Sequence, residues 1–456
     1  MRRKKMKKLS QNIISLFLIF NATPSSALDL NEALELAQKY DTTYQAAYSR
    51  YLAAIETASQ TTSAILPKVD FNAFIQEGRT EIDSKGRPAF NTDNNNNGYS
   101  INLNQVIFDK SIFDDLDRGD AIEAKALADL EAAKQETIVR VAKAYFDVLI
   151  AIDTLETASA EKKAIGKQLE QSKERFNVGL SAITDVKEQQ ASYDISVADE
   201  IIAINNLSNS REALRVIINT YPEKLEVARE DLPLVVPEPM DIDAWQEKAL
   251  QNNFALLSSR YSVDAAQSAY DGSKGGHYPK LSLNASYGIV NSDQRDTNFG
   301  VPIPESTSTD AKVILSLDVP IYSGGFTSST VRQKSSELSQ SRALHEQEKR
   351  QTVALARSSY LTLEADIATV RARKQAVIST QTSLDATLAG YDAGTRTSVD
   401  VLLSQRLLYS SQRDYSVARY AYITDSLELK RVAGILSAND VKKINEWLVP
   451  KDVKKP

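Results

Sequence analysis

The stretch Leu66-Pro67-Lys68-Val69-Asp70-Phe71-Asn72-Ala73 returns 212 positions later as Tyr278-Pro279-Lys280-Leu281-Ser282-Leu283-Asn284-Ala285, and this pair decides the fold. After each proline, apolar residues alternate with polar ones, the period of two of a strand with one apolar face. Working outward, Leu28-Asp29-Leu30 matches Met240-Asp241-Ile242 at the same offset, and Val106-Ile107-Phe108 matches Pro320-Ile321-Tyr322 at 214. Phe176-Asn177-Val178-Gly179 matches Tyr391-Asp392-Ala393-Gly394 at 215, as Asp185-Val186 matches Asp400-Val401. So small a drift over so long a span marks a tandem duplication. The first repeat spans 28–229 and the second 240–436, with a Pro-rich linker at 230–239 and a C-terminal tail at 437–456.

Composition excludes several classes of protein. Of 456 residues 42% are hydrophobic, enough for a large core, and there is no Cys, so disulfides, zinc ribbons and thiol nucleophiles are excluded. The two histidines, His277 and His345, stand in no metal-ligand spacing. The net charge of -6 gives no electrostatic footprint for nucleic acid. Residues 1–27 read as a signal peptide, with six basic residues before Leu9, an apolar run Ile13 to Phe20 and small residues at Ser25-Ser26-Ala27. Without them the chain carries 48 basic and 60 acidic residues, a net charge of -12. The protein is expected to be exported and acidic, and no later stretch is apolar enough for a membrane-spanning helix.

Each repeat has the same order of elements. The first reads as a helix from Asn31 to Leu66, a β-hairpin over 68–107, a long helix over 112–176 and a helix over 185–220. The second reads as a helix, a hairpin over 280–319, a long helix over 326–391 and a helix over 399–436. Polar segments Arg79 to Gly98, with its Asn94-Asn95-Asn96-Asn97 run, and Asn291 to Asp310 are expected to be loops at the hairpin tips. In the long helices, Ile138, Val141, Tyr145, Val148, Ile152 and Leu155 step by three and four, as do Val353, Ala356, Tyr360, Leu363, Ile367 and Val370. As continuous helices these runs would reach about 98 Å, and two shorter helices end to end would cover each. The expected fold is mainly α with a small β part, a rod of antiparallel coiled-coil helices under four strands. Four strands cannot close a barrel and leave two edges open, whereas three chains would supply twelve. An exported protein with alternating strands and Phe71, Phe74, Tyr99 and Tyr287 among them fits a barrel shared between chains in an outer membrane.

The segment Arg175 to Val186, its counterpart Gly390 to Val401 and the tail Arg419-Tyr420-Ala421-Tyr422 resemble the signature of TolC-type outer-membrane efflux channels. The resemblance extends to about Trp447. It implies a homotrimer with a twelve-stranded barrel in outer-membrane lipid and a periplasmic α-helical barrel. It also implies docking to a periplasmic adaptor protein and an inner-membrane pump of RND or ABC type, for export of drugs, toxic compounds and type I secreted proteins. Without a Cys, the chain falls on the non-acylated side of that family.

By themselves, the residues allow Asp185 to be an N-cap and Asp400 a first-turn acid behind Thr397 or Ser398. The resemblance assigns them further roles. Tyr391 and Arg396 would bond to Asp185 and Thr184 as a periplasmic gate, and only the second repeat has this Tyr and Arg, since Phe176 and Ser181 stand at their counterparts. Asp400 would form a constriction ring, although Leu403 replaces the second acid the family often carries. Val178, Gly179 and Leu180, with Ala393, Gly394 and Thr395, would be the tips that touch the adaptor; plain turn chemistry is the alternative for them. No cofactor, metal or catalytic role is expected, and the chain is not read as an enzyme. The alternative to a channel is a periplasmic coiled-coil structural protein without a pore.

Overall fold

The computed structural model describes residues 27–82, 85–86, 90–229, 231–296 and 302–449. The signal-peptide reading falls on residues that lie, apart from Ala27, outside the described ones. The first repeat runs α1 (Leu30–Tyr40), α2 (Thr42–Ser63), β1 (Lys68–Ile82), β2 (Phe90–Phe108), α3 (Lys110–Asn177) and α4 (Ile183–Ile218). A short strand β3 (Val227–Ala228) precedes the second repeat. That repeat runs α5 (Ile242–Asn252), α6 (Phe254–Lys274), β4 (Lys280–Asp296), β5 (Pro302–Asp318), α7 (Phe326–Asp392) and α8 (Ser398–Val432). The tail adds α9 (Ala438–Asn445) and β6 (Leu448–Val449).

The first helix of each repeat is two helices, which corrects the single run from Asn31 to Leu66. Asp41 is extended (φ -66°, ψ 112°); its N–H donates to the Ala37 carbonyl to close α1, and its side chain accepts from the Thr43 N–H to open α2. Asn253, 212 positions on, does the same between α5 and α6 (φ -64°, ψ 122°), accepting from the Leu256 N–H at 3.0 Å. A side chain that caps two helices breaks the run without Gly or Pro. Buried Asp41 is also ion-paired with Arg140 of α3, while the Asn253 amide donates to the Val432 carbonyl at 2.9 Å.

The four long strands form one antiparallel sheet in the order β1-β2-β4-β5, so the two repeats meet where β2 pairs with β4. Rows of paired residues alternate in character. Val69, Leu103, Ala285 and Val313 share a row, as do Phe71, Ile101, Tyr287 and Ala311, and then Ala73, Tyr99, Ile289 and Thr309. The rows between them hold Asp70, Asn102, Ser286 and Lys312, then Asn72, Ser100, Gly288 and Asp310. One face is therefore apolar and the other polar. The apolar side chains are bare, with Phe71 66% and Ile75 82% exposed, and no helix covers them. From Leu281 to Ile289 this band measures about 27 Å along the strand, which matches an apolar band about 25 Å tall on a tilted membrane strand.

The expected polar loops are mostly strand. β1 continues to Ile82 and β2 begins at Phe90, while β4 continues to Asp296 and β5 begins at Pro302. The Asn94 to Asn97 run sits in the ladder between β1 and β4, with the Ser292 hydroxyl donating to Asn96 at 2.6 Å and the Asn291 amide to Asn97 at 3.1 Å. Ladder bonds come from the backbone, so a strand that has left the apolar band can carry polar residues on both faces and still pair.

α3 is 68 residues long and α7 is 67, each about 100 Å. α3 packs on α2 and α6 toward the sheet and on α4 toward the far end; α7 packs on α5, α6 and α8. The thickest part of the rod lies midway. There Tyr145, Phe146, Val148 and Leu149 of α3 meet Tyr420, Ile423 and Leu427 of α8, Leu30 and Leu34 of α1, and Val441 and Ile444 of α9. The Phe146 and Tyr420 rings stack at 5.6 Å. The buried Tyr145 hydroxyl lies 2.9 Å from the carbonyls of Leu28 and Glu226, tying the segment just before α1 to the strand β3 region. β3, at the end of the first repeat, pairs with β6, and Leu232 and Leu234 of the linker pack on the same core, so linker and tail close over it together. Among the described residues no helix is long and apolar enough to cross a membrane.

Candidate gate at the helix turns

The ends of the rod far from the sheet are two turns, α3 to α4 and α7 to α8, built alike. In the first, the Leu180 N–H donates to the Arg175 carbonyl at 2.8 Å and the Gly179 N–H to Phe176 at 2.9 Å. In the second, the Thr395 N–H donates to Gly390 at 2.8 Å and the Gly394 N–H to Tyr391 at 3.1 Å. These are Schellman pairs, and each puts its glycine in the left-handed region, at φ 77° and 76°. Glycine alone takes that conformation without cost, and this is why the repeats share it. Val178, Leu180, Ala393 and Thr395 stand exposed around these glycines.

The turns differ at the start of the next helix. Thr397 is the N-cap of α8, and Asp400 closes a capping box with it. Asp400 Oδ2 accepts from the Thr397 N–H at 2.8 Å and its hydroxyl at 2.9 Å, and the Asp400 N–H donates back to that hydroxyl at 3.2 Å. Bonding to the Thr397 backbone and side chain, with Arg396 nearby, holds the Asp400 carboxyl below its ordinary range. Asp185 occupies the same position in α4, but the N-cap there is Ala182, which has no hydroxyl to offer. Asp185 is thus a first-turn acid and not itself the N-cap. Among the described residues its carboxylate accepts no hydrogen bond.

The structure places Thr184 and Asp185 in the first turn of α4, and Tyr391 and Arg396 on either side of the second tip. Arg396 is drawn back onto the end of α7: its N–H donates to the Gly390 carbonyl at 3.2 Å, and its side chain folds over Gly390. A Cβ on Gly390 would stand 2.7 Å from Arg396 Cγ, so glycine is needed inside α7 for the arginine to lie there. Among the described residues of this one chain, neither Tyr391 nor Arg396 is hydrogen-bonded to Thr184 or Asp185. Tyr391 instead faces Arg175, whose guanidinium carbon stands 4.5 Å from the ring centre. Sequence reasoning assigned no role to Arg175 or Gly390. They share one repeat position, the longest cation in one copy and no side chain in the other, which is the signal that marks them.

A sheet with one bare apolar face, carried on paired helical hairpins about 100 Å long, defines a channel-tunnel protomer, with strands for a lipid bilayer and helices for the space beneath it. The chain belongs to the outer membrane efflux protein family, whose model matches residues 25–220 and 245–435, one span on each repeat. It is 36% identical to outer membrane protein TolC of Vibrio cholerae, over 97% of this chain and 99% of that protein. It is 28% identical to alkaline protease secretion protein AprF of Pseudomonas aeruginosa, over 96% of this chain and 91% of that one. Among solved structures, the fold matches CusC at a TM-score of 0.75, with 15% identity over 89% of this chain and 92% of that one. The open state of the MtrE channel of Neisseria gonorrhoeae matches at 0.70, with 17% identity over 91% of each chain. The protein is an outer-membrane efflux channel with a periplasmic tunnel, from a family of transport channels that work as trimers with adaptor and pump partners. Neither fold nor relatives favour a coiled coil without a pore.

Proposed function

We propose that three copies of this chain form one conduit. It carries toxic small molecules and type I secreted proteins outward, from a periplasmic adaptor and an inner-membrane pump of RND or ABC type. Two features support the trimer: β1 and β5 are unpaired edges of a four-stranded sheet, and apolar residues such as Ile195, Ile202, Leu361 and Leu407 stand exposed along the helices. Relatives named for protease secretion support polypeptides as cargo beside drugs. A channel of this kind holds no catalytic or cofactor site; its specificity comes from the pump that feeds it. The exposed tips Val178-Gly179-Leu180 and Ala393-Gly394-Thr395 are where the adaptor docks.

The turns also form the gate. In the assembled ring, Tyr391 and Arg396 of one turn meet Asp185 and Thr184 of the facing turn and hold the helices inward. The observation that carries this reading is the bare Asp185 carboxylate, set at the position where Asp400 is consumed by its own cap. Charge-assisted bonds of about 1.5–3 kcal/mol each, a few per protomer, close a tunnel yet yield to adaptor binding. Asp400 lines the constriction beneath; Oδ2 is occupied by Thr397, and Oδ1 remains to meet cations. Replacing Tyr391→Phe with Arg396→Ser is expected to raise single-channel conductance of the purified trimer in planar bilayers. Unchanged conductance overturns the gate.

A further inference from the structure

We infer that Arg175 is a positioning residue of the closed gate, holding the Tyr391 ring so that its hydroxyl points to a partner; this rests on the gate reading above. Arg175 stands in the last turn of α3. A cation there suits the helix dipole wherever it points. This one points across to the other repeat. Its guanidinium covers the Tyr391 ring at 4.5 Å, and its Nη2 lies 3.6 Å from Asp392 Oδ1. The contact therefore joins the α3–α4 hairpin to the α7–α8 hairpin beside the turn that carries Arg396.

The two copies divide the work. At the repeat position of Arg175 the second copy has Gly390, and the space a side chain would fill there is taken by Arg396. Tyr391 thus carries one cation on its ring, from the first repeat, while the second repeat's own arginine folds over the residue before it. Its hydroxyl makes no hydrogen bond among the described residues of the chain, so the ring is held while the polar end stays available. The ion pair contributes less than the ring contact: at 3.6 Å, with side chains 38% and 78% exposed, it is long and screened by salt. A cation over an aromatic face at an exposed site shifts an equilibrium by about two- to fivefold.

The test uses full-length trimers in planar bilayers, with Arg396→Ser as the gate control and trimer retention on gels as the folding control. Arg175→Gln is expected to raise open occupancy by about two- to fivefold per protomer. Arg175→Lys should restore most of the closed state, and Asp392→Asn should change it little. In a Tyr391→Leu background, Arg175→Gln should add nothing, because its only route to the gate is that ring. If Arg396→Ser opens the channel but Arg175→Gln does not, or if Arg175→Gln acts equally without the ring, the role of Arg175 is wrong and the gate stands. If neither variant changes the channel, the gate reading fails and takes this inference with it.

Discussion

Ala182→Thr is expected to stabilise α4 and loosen the gate at once, an outcome that a purely structural view of these turns would not produce. Ala182 and Thr397 hold the same repeat position, each three residues before an aspartate. Their backbones are nearly superposable, φ -79° and ψ 153° against φ -92° and ψ 164°, and both are exposed, so a threonine enters at 182 without strain. Its hydroxyl then completes the capping box that Asp400 shows, with Asp185 accepting where Asp400 accepts at 2.8 and 2.9 Å. Going from Ala to Thr at an N-cap is worth about 1 kcal/mol to the helix. The carboxylate so engaged loses part of a gate bond worth about 1.5–3 kcal/mol. Forfeiting about 1 kcal/mol per protomer shifts the closed-to-open ratio about fivefold for each. Two measurements on one preparation decide the matter: hydrogen exchange at the Asp185 amide, which the new cap should protect, and single-channel conductance, which should rise. Ala182→Val, with the same branching and no hydroxyl, should leave both unchanged. Protection gained with conductance unchanged would refute the idea that a free Asp185 carboxylate closes the tunnel.

Two further outcomes follow from groups buried along the rod. Gln189 of α4, fully buried, has neither amide atom hydrogen-bonded among the described residues of the protomer, so Gln189→Leu should stabilise the trimer by about 1–3 kcal/mol, read as a higher guanidinium midpoint; a lower midpoint would show the amide is satisfied in the assembled channel. Asp366 of α7 faces Asp425 of α8, with Glu428 and Lys143 close to Asp425, and burial and then that neighbour push Asp366 up to about 7. The folded chain therefore keeps a proton the unfolded chain has lost between about pH 4 and 7, and stability falls as pH rises through that window. Asp366→Asn should flatten the difference in thermal midpoint between pH 5 and pH 8, and an unaltered difference would assign the pH dependence elsewhere.

What could be read without coordinates was what repeats or alternates. Duplication showed through the LPKVDFNA-like stretches, the strands through their period of two, the long helices through steps of three and four, and the tips through their paired glycines. The apolar part of each strand was legible because lipid selects it. Its polar extension past Arg79 and Asn291 was not, because backbone pairing leaves no mark on side chains. The helix breaks at Asp41 and Asn253 were hidden for a related reason: an Asx residue caps as readily as it sits in a loop, and only the extended ψ distinguishes them. At the proposed gate, the family resemblance put Thr184, Asp185, Tyr391 and Arg396 at the turns, and the sequence alone showed the asymmetry of the copies.

The sequence by itself determined that two copies of one unit, each a hairpin on a long helical rod, meet at turns of unequal chemistry. These are local properties, set by backbone geometry within a few residues. Only the tertiary structure decided that β2 pairs with β4 to fuse the copies, that linker and tail close over one equatorial core, and that Arg175 reaches the Tyr391 ring. Such contacts join surfaces far apart in the chain, and they depend on both partners and on the angle at which rigid helices meet. No stretch of sequence carries that information alone.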